Sequence, residues 1–366
     1  MSSSSFLPDP EIGGEQNNKR SHRVLWSVLF IVIAALSVVA VTSFNRNFHF
    51  SEFFKSVSSA SAPWIVAAVC GTFGYILFEA LSLMYICRSF GYGRRLKSGL
   101  LYSSTGFYFS SITPSATGGQ PAQAYVMIKD GIPGVFAAIA LLVNLLMYTL
   151  SIAVLGIFAF IARPSLFLKF SVVSRIMIIV GTVIQFTLAA LVLLLIKNKR
   201  ILHGIGKRLI RLLGKLHLVR DKDKLLNTFD EKMAEYDRYA EYLHGKRPMM
   251  FKVLGINILQ RASVISVTMF TFIALGGRGA EIFNIFVIQI YVLLGSTFMP
   301  IPGSIGITDY LMIDGFSNLI TKSSVEPGTL ELLSRTLSFY ICVFACGLFM
   351  LYYYFKGRKN INDRNI

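Results

Sequence analysis

Apolar stretches alternate with short polar connections along nearly the whole chain. The runs Val24–Phe44, Pro63–Cys87, Val135–Ala162, Val172–Ile196, Met250–Leu275 and Arg335–Phe355 each carry few charges. A helix rises about 1.5 Å per residue, so roughly 20 such residues cross the ~30 Å hydrocarbon layer. The pattern predicts an all-α integral membrane protein with about six full transmembrane helices. Residues 1–23 are polar and rich in Ser and Asn, a composition expected to stay disordered. The run after them is longer than a signal-peptide core and no clear cleavage site follows, so Val24–Phe44 reads as a retained anchor. The expected organisation is a cytoplasmic N-terminal segment over 1–23, a polytopic membrane domain over 24–355 and a cytoplasmic tail over 356–366.

Two apolar segments do not fit a simple span. Gly99–Ile112 is too short to cross and ends in Thr113-Pro114-Ser115-Ala116-Thr117-Gly118-Gly119, after which Gln120–Ile128 reads as a short amphipathic helix. Ile282–Phe298 likewise ends in Met299-Pro300-Ile301-Pro302-Gly303-Ser304-Ile305-Gly306, and a short apolar piece follows to Ile320. Both are expected to be re-entrant broken hairpins, because non-helical backbone at membrane depth survives only against protein or a water-filled cavity. The first enters from the cytoplasm and the second from outside. Opposed hairpins of this kind are the pattern of an inverted repeat with a ligand site where they meet.

Charge supports this layout. The chain carries 36 Lys and Arg against 19 Asp and Glu, a net charge of +17. In a soluble protein that excess points to nucleic acid. Here the basic residues cluster at 19–23, 88–97, 197–224 and 356–364, between apolar runs and all on one side if both hairpins are re-entrant. The positive-inside rule and anionic headgroups account for them, so the termini and the 197–248 loop are expected in the cytoplasm of a multi-pass cell-membrane protein. Within that loop, Ile201–Leu213 reads as a basic amphipathic helix, and Leu225, Leu226, Phe229, Met233, Tyr236, Ala240 and Leu243 recur at helical spacing, as in a helical pair packed on the membrane domain. Cys70, Cys87, Cys342 and Cys346 lie in apolar segments or at their ends and read as small buried hydrophobes, with no disulfide framework, zinc site or other metal centre expected.

Candidate chemistry lies inside the membrane. No phosphate loop, dinucleotide fingerprint, HExxH or nucleophile elbow occurs, and no catalytic residue or cofactor is expected. Glu79 and Arg261 fall well within apolar runs, where a lone charge is costly and must face protein or water. Their pairing is the economical solution, either as a structural ion pair or as part of a headgroup or ion site. Gly118 and Gly119 open a helix whose N–H groups suit phosphate, with Thr113, Pro114, Gln120, Gln123 and Tyr125 around them; the alternative is a turn that only reverses the chain. In the second break, Pro302, Gly303, Gly306, Thr308 and Asp309 mirror this arrangement. Asp309 either receives a cationic headgroup or a proton, or caps the following helix.

The stretches Ile112-Thr113-Pro114-Ser115-Ala116-Thr117-Gly118-Gly119-Gln120-Pro121-Ala122-Gln123-Ala124-Tyr125 and Pro300-Ile301-Pro302-Gly303-Ser304-Ile305-Gly306-Ile307-Thr308-Asp309, with their flanking spans, resemble the transmembrane, flippase-like domain of lysylphosphatidylglycerol synthases. The chain departs from many relatives in having Gln120 and Gln123 where they have an acidic residue and an Arg, and Asp309 where they have Glu. The resemblance implies movement of a phospholipid or polyprenyl-linked lipid between leaflets, lysyl-phosphatidylglycerol among them, in a setting of lipid metabolism and antibiotic resistance. Its implied partners are a membrane lipid (an anionic or aminoacylated phospholipid, or a polyprenyl phosphate) and either a second copy or a separate transferase. The alternative it carries is a phosphatidylglycerol lysyltransferase, or the membrane subunit of a lipid-modifying transferase. In that family a separate C-terminal cytosolic domain does this with charged tRNA, the one nucleic acid then expected; without it the chain is expected to be a stand-alone member, with no enzymatic activity by itself.

Overall fold

The computed structural model describes residues 50–113, 116–197, 203–204, 207–208, 211, 226–234, 245–297, 301–318 and 325–362. The expected disordered segment 1–23, the expected span Val24–Phe44 and Pro114 lie outside these residues, as does most of the expected amphipathic helix Ile201–Leu213. The described residues are helical and contain no strand. The helices are α1 Phe50–Ser58, α2 Ala62–Ser89, α3 Leu96–Ile112, α4 Gly119–Lys129, α5 Gly134–Ala162, α6 Pro164–Lys169, α7 Val172–Lys197, α8 Arg247–Ala274, α9 Glu281–Ser296, α10 Ile307–Ser317, α11 Pro327–Arg335 and α12 Ile341–Asn362. Among these residues five helical stretches are long and apolar enough to cross a membrane: α2, α5, α7, α8 and a last one over Pro327–Tyr353. Pro stands in the first turn of α2, α6, α8 and α11, where its missing N–H costs no helical bond.

The last span differs from the sequence expectation. It starts at Pro327, not Arg335, so Glu331 and Arg335 lie inside it. Glu326 caps it by accepting from the backbone N–H groups of Gly328 and Thr329, at 3.2 and 2.7 Å. A π-helical turn, Thr336–Tyr340, joins α11 to α12, and α12 continues past Phe355 to Asn362. The Leu337 carbonyl in that turn accepts the Thr72 hydroxyl at 2.9 Å, which ties the π-turn to α2.

α2 and α8 form an antiparallel pair at the centre. The register runs from Ser61 N–H on the Ala274 carbonyl, through Ser263 Oγ on the Gly71 carbonyl, to Asn257 Nδ2 on Ser82 Oγ. Small residues permit the close approach: a Cβ on Gly71 would stand 3.0 Å from the Ser263 carbonyl. α5 lies across this pair, and its far end packs on α9, where Tyr291 donates to the Ala159 carbonyl. α7 exposes Ile176, Ile179, Val183 and Phe186, an outward apolar face suited to lipid. Phe229 and buried Met233, from the helical stretch 226–234, pack on a core cluster with Val192 and Met249. Leu225, Tyr236, Ala240 and Leu243 of the expected loop helix lie outside the described residues.

Both broken hairpins are present. α3 and α4 run antiparallel, with Gly106 opposite Gln123, Gly119 against Ser110, and Tyr102 donating to Asp130. α3 has 17 residues and α4 has 11, so neither arm spans the ~30 Å of hydrocarbon at about 1.5 Å per residue. α9 and α10 form the second hairpin, with Gly295 against Leu311 and Ile288 against Gly315. Its break needs left-handed backbone at Gly303 (φ 61°) and Gly306 (φ 81°), which glycine adopts without a Cβ clash.

Candidate functional site

The two breaks, α2, α3, α5, α8, α9 and the π-turn line one partly open cavity of about 720 Å³. That volume lies within the usual range for small-molecule sites. α2 contributes Tyr75 and Glu79, α5 contributes Asn144 and Tyr148, α8 contributes Arg261, and the second break with the last span contributes Gly303, Thr308 and Arg335. Gln120 and Gln123 enter from the start of α4. Of the residues singled out from sequence, Glu79, Gln120, Gln123, Arg261, Gly303 and Thr308 therefore line one space.

The expected Glu79–Arg261 ion pair is not formed. Among the described residues no salt bridge joins them, and each has other partners. Glu79 accepts from Gln123 Nε2 at 2.7 Å and from Gln260 Nε2 at 3.2 Å, so neutral amides solvate it. Arg261 donates to the Tyr75 hydroxyl at 3.2 Å and stacks over two rings, its Cζ lying 3.9 Å from the Tyr148 centroid and 4.9 Å from that of Tyr75. The physical reason is local: tyrosines from α2 and α5 flank Arg261, and a guanidinium binds ring faces more favourably than an ammonium does. Arg261 is 4% exposed, and its Nε has no hydrogen-bond partner.

Asp309 does not line the cavity. It is fully buried behind Arg335, with Oδ1 2.8 Å from Arg335 Nε. Its Oδ2 accepts the Gly306 N–H at 2.8 Å, so it also caps α10. Arg335 further donates to the Gly303 carbonyl at 3.2 Å, which fastens the second break to the last span.

The remaining candidates have structural surroundings. Thr113 closes α3: its hydroxyl donates to the Phe109 carbonyl at 2.6 Å and accepts the Gly118 N–H at 2.9 Å. Thus one N–H at the start of α4 is already used. A Cβ on Gly118 would lie 2.7 Å from the Thr113 methyl, and one on Gly119 would lie 2.8 Å from the Gly106 carbonyl. Gly306 caps α10 away from the cavity, and the side chain of Pro302 lies outside the described residues. Tyr125 points outward, exposed, beneath Lys129 Nζ at 4.7 Å.

Sequence reading missed Tyr75, Asn144, Tyr148 and Arg335 as part of the site. The signal for Arg335 was present: Pro327 suits the first turn of a helix, which places Arg335 well inside one. Asn144 also joins a buried polar junction, accepting from Ser82 Oγ at 2.5 Å beside Asn257.

Fold and cavity together define a polytopic helical membrane protein that encloses a charged, amide-rich site between two broken hairpins. Residues 24–351 match the family described as the lysylphosphatidylglycerol synthase TM region, and the chain belongs to that family. No curated protein matches it.

Proposed function

We propose that the chain is a lipid translocase that takes a phosphate-bearing headgroup into the cavity between its two broken hairpins and passes the lipid between leaflets. The observation that carries this reading is Arg261: a buried guanidinium on the cavity wall, stacked on tyrosine rings and with no carboxylate at ion-pair distance among the described residues. A phosphodiester satisfies such a cation, and Glu79 on the same cavity suits an ammonium group. An anionic phospholipid, its aminoacyl ester and a polyprenyl phosphate share this chemistry, and lysyl-phosphatidylglycerol supplies both charges. The termini and the 197–248 loop face the cytoplasm in this reading, from the placement of Lys and Arg.

The test is reconstitution in vesicles carrying acyl-labelled phosphatidylglycerol, its lysyl ester or phosphatidylcholine, with leaflet exchange read by a membrane-impermeant quencher. Wild-type protein should accelerate exchange of at least one of the first two over phosphatidylcholine. Arg261→Gln should lose most of that acceleration while remaining folded, and Arg261→Lys should retain part of it. Failure of the wild type to move any of the three would refute the reading.

A further inference from the structure

Glu331 is an acidic side chain that the proposed headgroup site does not use. It sits on α11, fully buried, and neither carboxylate oxygen has a hydrogen-bond partner. Its electrostatic neighbours are Asp309 from α10 and Arg335 from its own helix. Arg335 is already committed to Asp309, to the Gly303 carbonyl and to the Phe339 ring, 5.1 Å from its Cζ. Asp309 is committed to Arg335 and the Gly306 N–H. Tyr340 lies beside Arg335 in the π-turn, and two helices packed against α11 carry the cations Arg261 (α8) and Lys55 (α1). None of these forms an ion pair with Glu331 among the described residues.

With both acids ionised, two carboxylates would face one guanidinium, leaving a net negative charge buried away from water. A buried charge without a partner neutralises instead, and adjacent carboxyl groups do so by sharing a proton. Among the described residues no group of three or more His, Cys, Asp or Glu side chains gathers as a metal site, and the guanidinium already supplies a positive charge here. We propose that Asp309 and Glu331 form a proton-binding site that holds one proton, on Glu331, and is coupled to the cavity through Arg335.

The coupling follows from the position of Arg335, which faces both the pair and the cavity. An anionic group in the cavity draws the guanidinium from Asp309. The carboxyl pair, left without its guanidinium, then takes up one more proton, so one anion and one proton enter together and the net charge of the protein with its ligand is unchanged. This step rests on the headgroup reading above; the resident proton on Glu331 does not.

Infrared difference spectroscopy tests the site on the full chain in phosphatidylcholine nanodiscs. The carbonyl band of a protonated, buried carboxylic acid should appear at neutral pH and shift on deuteration. It should vanish in Glu331→Gln, survive Glu79→Gln, and stay unchanged when potassium replaces sodium. Gln mimics the protonated acid, so Glu331→Gln should fold like the wild type; a misfolded variant beside folded wild type counts against the proposal. Absence of the band, its survival in Glu331→Gln, or its dependence on sodium would overturn the proton site. Short-chain phosphatidylglycerol, with phosphatidylcholine as control, then reads the coupling. Its affinity should rise about tenfold per unit fall in pH where one proton enters with each anion, and Asp309→Asn should flatten that slope. Binding with no pH slope overturns the coupling. No binding at all sinks the headgroup reading and the coupling with it, while the band still decides the proton site.

Discussion

Arg335 and Asp309 come from different helices and meet as a buried ion pair, Nε to Oδ1 at 2.8 Å, with Asp309 wholly inaccessible. The pair joins the second broken hairpin to the last span, because Asp309 also caps α10 and Arg335 also holds the Gly303 carbonyl. Removing one partner strands the other as an uncompensated buried charge. We expect Arg335→Ala to destabilise the protein by about 3–5 kcal/mol. Asp309→Asn should cost less, since the amide oxygen can still accept the Gly306 N–H. Thermal unfolding in detergent would show the order; equal midpoints for both variants and the wild type would refute it.

The first hairpin depends on a different device. Gly119 packs directly on Ser110 and lies so close to α3 that an added Cβ would stand 2.8 Å from the Gly106 carbonyl. A side-chain obstacle can be trimmed, but a backbone carbonyl cannot. Gly119→Ala should therefore cost about 1–3 kcal/mol, as overpacking does, and adding Ser110→Ala should recover only part of it. Full recovery in the double variant, read as folded yield and melting temperature, would show that Ser110 was the sole barrier.

Between the membrane-spanning helices, Asp230 links two pieces of the 197–248 stretch. Its Oδ1 lies 2.7 Å from His203 Nε2, and its Oδ2 lies 3.0 Å from Lys207 Nζ. The contacts with His203 and then Lys207 hold the Asp230 carboxyl below the ordinary aspartate range. A lowered folded-state value contributes stability that is complete above the unfolded value of about 3.9 and is lost as pH falls through the folded value. The contact should thus persist from neutral pH to about pH 4 and release below it. Spin labels at Gly204→Cys and Ala234→Cys, in a Cys70→Ser background, should move apart in acid, whereas Asp230→Asn should show no such transition.

Orientation is open to labelling. Ser61 and Ala274 mark one end of the α2–α8 pair, and Arg278 lies exposed just beyond it. The 226–234 helix packs near Met249, at the other end of α8. With basic loops on the cytoplasmic side, an impermeant thiol reagent should label Arg278→Cys in intact cells, and Glu231→Cys only after lysis. The reverse pattern would invert the topology.

Hydropathy alone was enough for the membrane class and for the central spans, because crossing hydrocarbon demands an uninterrupted apolar helix of known length. The breaks at Thr113–Gly119 and Pro302–Gly306 were equally legible, since Pro and Gly act on backbone conformation within a few residues. Glu79 and Arg261 stood out because a charge at that depth needs a reason. Their partners did not. Which side chain meets Arg261 depends on how α2, α5 and α8 pack, and that packing sets Tyr75 and Tyr148 against it in place of Glu79. Arg335 and Glu331 were hidden for a related reason: three ionisable residues within one stretch, 326–335, resemble a polar boundary until the fold brings Asp309 beside them. Sequence thus determined the membrane class, the central spans and the places where helices break, all local properties of the chain. The pairing of buried charges and the shape of the cavity were decided only by tertiary packing, because both arise between residues far apart in sequence.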